Sequence, residues 1–77
     1  MNWQDRLSSD PNICHGKVCV KGTRVMVSVI LDNLAEGESH HAIREGYRIE
    51  EEDIQATLQY AAVLASDRIV ALSQEAA

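Results

Sequence analysis

At 77 residues the chain is long enough for one small domain and too short for two. A net charge of −5 argues against a generic nucleic-acid binder, and two cysteines do not make a disulfide framework. A chain of this size buries only about 60 % of its unfolded surface, so further burial between copies is expected.

The charge is unevenly spread. Residues 1–28 set Arg6, Lys17, Lys21 and Arg24 against Asp5 and Asp10, a net +2. Residues 29–77 set Arg44, Arg48 and Arg68 against ten carboxylates, a net −7. An anionic partner is therefore expected to meet the first part of the chain and to be repelled by the rest.

Residues 1–12 read as a polar lead-in, with Trp3 able to pin it to a core and Pro11-Asn12 as a turn. Nothing in Met1–Pro11 resembles a secretory signal segment, and no apolar run is long enough to cross a bilayer. A cytoplasmic protein with no membrane partner is expected.

Residues 13–28 read as a β-hairpin. Val18 and Val20, then Val25 and Val27, alternate with other residues at period two, and Gly22 lies between the runs. A chain reversal needs positive φ, which glycine supplies at no steric cost. Lys17, Lys21 and Arg24 lie on or beside this turn. They are the candidate residues for nucleic acid or another anionic partner.

The string Ile13-Cys14-x-Gly16-Lys17-x-x-x-Lys21-Gly22-Thr23-Arg24-Val25-x-Val27 resembles the opening motif of the bacterial family known as domain of unknown function 433. The likeness continues in Leu34-Ala35-Glu36-Gly37, Glu50-Glu51-Glu52-Asp53-Ile54 and Leu58-Gln59-Tyr60-Ala61 and covers about residues 10 to 65. His15 stands where that family usually has glycine, and Val18 and Met26 stand where it often has proline; these departures bear on the rigidity of the hairpin. The resemblance implies a helix-turn-helix-like fold. It also implies an antitoxin-like role, since some members resemble antitoxins encoded beside PIN-like ribonuclease toxins, and so a cognate ribonuclease toxin as a candidate partner.

Residues 29–77 read as helical. Ser28 is a suitable N-cap for a helix carrying Val29, Ile30, Leu31, Leu34 and Ala35, which Gly37 stops. Ser39 caps a second helix, which Gly46 ends. Glu50 at the N-cap of a third helix puts Asp53 at N3, and Ile49 and Ile54 then hold the spacing of a hydrophobic staple. The acids Glu51-Glu52-Asp53 suit the positive end of a helix dipole and are read as helix-start chemistry, not as a metal or catalytic cluster. The third helix is expected to run from Glu51 to about Ser73. One stripe, Ile54, Leu58, Ala61 and Ala65, should face the two short helices. A second, Leu58, Ala62, Ala65, Ile69, Leu72 and Ala76, has heptad steps and is the candidate homodimer interface.

The fold expected is therefore mainly α: a short N-terminal β-hairpin, then a three-helix, helix-turn-helix-like (homeodomain-like) bundle with a long C-terminal helix. As a recognition helix the third is unusual, because its first turn is acidic and only Gln55 and Gln59 offer base-edge chemistry. Cys14, His15 and Cys19 lack the paired spacing of a zinc site, and no nucleophile motif or phosphate-binding loop occurs. No metal, cofactor or enzymatic activity is expected. Two functions remain: an antitoxin-like or regulatory helix-turn-helix protein that binds DNA as a homodimer, or a protein-interaction module without DNA binding.

Overall fold

In the computed structural model, which describes residues 2–67, a two-stranded antiparallel sheet precedes three helices. Strand β1 is Leu7–Ser8 and β2 is Cys19–Val20, with Leu7 opposite Val20 and Ser8 opposite Cys19. Helix α1 is Val27–Ala35, α2 is His40–Tyr47 and α3 is Glu51–Asp67. This is the fold class that the alternation and the helical spacing predict. No described helix is long and apolar enough to cross a membrane.

The expected hairpin differs in its partner. β2 pairs with β1, which comes from the lead-in, where two residues are too few to show a period. The reversal at Gly22 is also present: Val20 N–H donates to the Val25 carbonyl at 2.9 Å and Val27 N–H to the Val18 carbonyl at 3.0 Å. It remains a single bridge, Cys19 to Met26, because the backbone turns into α1 at Val27 to bury that side chain. Residues 2–12 and 13–28 thus form one unit. The Lys21 N–H continues the pairing to the Arg6 carbonyl at 2.8 Å.

Gly22 has φ +79°, and Thr23 N–H donates to the Val20 carbonyl at 3.0 Å, as a type II turn requires. The Thr23 hydroxyl braces the turn by donating to that carbonyl at 2.8 Å and accepting from Val25 N–H at 3.0 Å. A Cβ at Gly22 would meet nothing within 4 Å, so a side chain there costs only backbone strain. Gly22→Val is expected to lose about 1 kcal/mol or more, read as a lower denaturation midpoint. Gly22→Asn, which tolerates the left-handed region, should recover much of the loss. An unchanged midpoint for the valine variant would contradict this role.

The helix ends follow local chemistry with two corrections. The N-cap of α1 is Met26, not Ser28, which is exposed in the first turn. Gly37 ends α1 as expected, with φ +90° and the paired bonds of a Schellman motif: Glu38 N–H to Asn33 and Gly37 N–H to Leu34, both 3.0 Å. The Ser39 hydroxyl caps α2 by accepting from Ala42 N–H at 3.0 Å. Gly46, however, does not end α2. The helix continues to Tyr47, and Arg48 takes the left-handed conformation at φ 57°. The reversal is delayed because Ile49 must enter the core, and its N–H closes the turn on the Arg44 carbonyl at 3.1 Å.

The core is Leu7, Val20, Val27, Ile30, Ile43, Ile49, Ile54 and Ala56, with Trp3, Val18, Val25, Leu31, Leu34 and Tyr60 packed against it. Ile49 and Ile54 are both buried, as the staple spacing predicts. The inward face of α3 is Asp53, Ile54, Ala56 and Thr57, not the Ile54–Leu58–Ala61–Ala65 stripe; Leu58 and Ala65 are exposed. The cause is the short 3-10 turn Trp3–Arg6, which packs along α3 and turns a different face inward. Trp3 meets Tyr60 with ring centroids 6.0 Å apart and planes tilted by 51°, within the range of favourable aromatic pairs.

Candidate functional site

Lys17, Lys21 and Arg24 are all exposed, and none enters an ion pair among the described residues. They do not share one cleft. Lys17 borders an apolar groove with Val18, Val27, Leu31, Tyr60 and Leu64. Lys21 borders a separate polar cleft of about 350 Å³, with Arg6, Arg48, Asp5, Glu50 and Asp53.

The polar cleft is organised by an ion pair between residues 47 positions apart. Asp53 is only 6 % exposed. Its Oδ1 accepts from Arg6 Nε and Nη2, both at 2.9 Å, and its Oδ2 accepts from the Glu50 N–H at 2.9 Å. The second contact is half of a capping box, with Asp in the place of Glu. The Asp53 carboxylate raises the Arg6 guanidinium above its usual pKa, chiefly through this hydrogen bond. Arg6 is held at both ends, since its carbonyl also accepts from Lys21. Sequence reasoning found Asp53 as helix-start chemistry but missed Arg6 as its partner. It also missed Arg48, an exposed left-handed cation at the rim of the cleft.

Glu51 is the second engaged acid. Its carboxylate meets His40 Nδ1 at 2.8 Å, Arg44 Nε at 3.5 Å and the Gln55 amide at 3.2 Å, tying the start of α3 to α2. The His40 hydrogen bond, then that of Gln55, hold its pKa below the usual carboxylate value. A carboxyl depressed in the folded state adds stability above its unfolded pKa and loses it as pH falls through the folded one. Glu51→Gln is therefore expected to lower stability modestly at neutral pH and to flatten the acid limb of the profile below about pH 4.5, the difference from wild type vanishing in acid, in thermal melts across pH. An acid limb of unchanged steepness would show that this contact does not titrate with folding.

Both cysteines are free thiols; Cys14 is half-buried and Cys19 buried. No group of three or more His, Cys, Asp or Glu residues is arranged to hold a metal among the described residues. Of the candidate dimer residues, Leu58, Ala62 and Ala65 are exposed on α3, whereas Ile69 and Leu72 lie outside the described residues. Leu58, Val63 and Leu64 keep 38 %, 43 % and 39 % of their surface in contact with solvent. Gln55 and Gln59, the base-edge candidates, are exposed as well.

No curated protein and no solved structure matches the chain. The family model described as "Protein of unknown function (DUF433)" matches residues 7–61, from β1 through the Gly22 turn and the ion-paired start of α3. On that match, which spans most of the chain and all of the core, the protein belongs to the DUF433 family.

Proposed function

We propose that this chain is an antitoxin-like or regulatory binding protein, not an enzyme, which pairs through α3 and meets DNA through the basic segment around Gly22. The observation that carries it is the free state of that segment's cations. Lys17, Lys21 and Arg24 take part in no ion pair among the described residues, while Arg6 and Arg44 are consumed by α3. The acidic start of α3 is also less of an obstacle than the sequence implies. Asp53 is neutralised by Arg6 and Glu51 is paired with Arg44, which leaves Glu52 as the exposed first-turn acid. Three mutually packed helices joined by short turns are compatible with a helix-turn-helix. Pairing through the exposed apolar residues of α3 would bury surface that a domain of this size cannot cover alone and would present the cations twice.

The test is fluorescence anisotropy with DNA from upstream of the protein's own gene. Saturable binding is expected at about 50 mM salt, weakening steeply towards 200 mM. Absence of binding at the lower salt would favour the second reading, a module that docks a basic protein such as a ribonuclease toxin. That reading draws on the net −7 of residues 29–77 and on the exposed Leu58, Val63 and Leu64. Co-purification with tagged protein from the native host would then identify the partner.

A further inference from the structure

Helix α3 outruns the rest of the fold. Thr57 is fully buried and Tyr60 half-buried, but Leu64, on the same face one turn further on, keeps 39 % of its surface in water. Its neighbours are no better covered: Ala62, Val63 and Ala65 are exposed as well. Four successive residues point to nearly every side of a helix, so this end of α3 is apolar all round. A helix of that kind is ordinarily buried. Beside it the core is open. Val18, Val27 and Leu31 line an apolar groove of about 510 Å³ together with Tyr60 and Leu64. The groove lies where the inward face of α3 runs out of partners.

We propose that a second copy of this chain fills the groove, each copy seating the apolar end of its α3 against Val18, Val27 and Leu31 of the other. The inference rests on pairing through α3 and names the surface that receives it. Three observations point to a second copy over any other partner. The groove and the helix end that suits it lie on one molecule, so a single twofold axis buries both surfaces on both copies. The charges also fit. Copies with a net charge of −5 repel one another, yet α3 carries no charged residue from Ile54 to Ser66, and Lys17 is the only charged residue lining the groove. The third observation is area. The chain exposes 5736 Å², about 1,000 Å² more than the roughly 4,700 Å² of a compact monomer of 8.5 kDa. That excess is close to the surface, about 800 Å², that each partner gives to a standard interface. Lys17 stands at the edge of the groove. Its methylene stem can cover the seam while its ammonium stays in water, so pairing leaves it open to an anion.

The test combines analytical ultracentrifugation of the full chain with nuclear Overhauser contacts in a dimer mixed from isotope-labelled and unlabelled copies. Wild type is expected to be a dimer at concentrations on the order of tens of micromolar. Leu64→Glu sets an unpaired charge against the groove on both copies and should weaken association by on the order of 100-fold or more. In the mixed wild-type dimer, contacts between chains are expected from the methyls of Val18 and Leu31 to those of Val63 and Leu64. A dimer that survives Leu64→Glu but is lost in Leu58→Glu would overturn the groove and leave pairing along the Leu58–Ala62–Ala65 stripe of α3 in place. A wild-type monomer at the same concentration would overturn the groove and α3 pairing together. Groove methyls that contact residues 68–77 of their own chain would show that it is filled from within, which also overturns the proposal. The wild-type contact map decides the matter even where a variant fails to fold.

Discussion

Asp53→Ala is expected to cost about 3 kcal/mol and to lower the melting temperature by on the order of 15 °C, the largest effect of any single polar substitution considered. The loss has two sources. The Glu50 N–H at the start of α3 loses its acceptor, and the Arg6 guanidinium loses the anion that two of its nitrogens contact. Removing one partner of a buried pair typically costs about 3–5 kcal/mol; the lower end applies because the Arg6 side chain keeps 31 % of its surface in water. A domain of this size starts near the low end of the usual stability range, roughly 5 kcal/mol, so much of its margin disappears. Asp53→Asn should cost less, since its amide oxygen can still accept from Glu50. Arg6→Ala should cost less than Asp53→Ala, and the two together less than their sum. A coupling of about 1–2 kcal/mol in a double-mutant cycle by chemical denaturation is the expected outcome, and additive losses would mean that the contact contributes nothing of its own.

That ion pair marks where the sequence stops being readable. Features set by a few neighbouring residues were legible: the positive φ of Gly22, the helix stop at Gly37, the Ser39 cap, the place of Asp53 at the start of α3 and the Ile49–Ile54 staple. Each follows from chemistry within about five positions. The Arg6–Asp53 contact spans 47 positions, and an arginine in a polar lead-in carries no local mark of its partner. β1 was hidden for a different reason, since Leu7–Ser8 is too short to show alternation. Its neighbours then changed the rest. Once Trp3–Arg6 packs on α3, Thr57 and Ala56 turn inward and Leu58 turns outward, which periodicity alone cannot decide. Arg48 was missed because Gly46, two residues earlier, offered a cheaper place to stop the helix. At the candidate site, residue types showed which cations could act, but only the fold shows that Lys17 and Lys21 border different clefts.

Replacing Lys17, Lys21 and Arg24 together by Ala is expected to weaken binding to DNA from the protein's own promoter by on the order of 100-fold or more at moderate salt, because a pair of chains would lose about six phosphate contacts. All three side chains are exposed and outside the described ion pairs, so the fold should survive, with a melting temperature close to wild type. This separates loss of binding from loss of structure. Arg48→Ala should add a smaller loss if DNA extends over the polar cleft, where Arg48 lies with Lys21.

The slope of log affinity against log salt compares the two possible reading surfaces directly. Each phosphate neutralised contributes about −0.9, so a wild-type pair of chains making six contacts should give roughly −5, and the Lys17, Lys21 and Arg24 triple variant a slope near zero. Gln55→Ala with Gln59→Ala should leave both slope and sequence preference close to wild type. A triple variant that keeps the wild-type slope, or a glutamine pair whose loss alone abolishes sequence-specific binding, would place the DNA on α3 and contradict binding through the Gly22 segment.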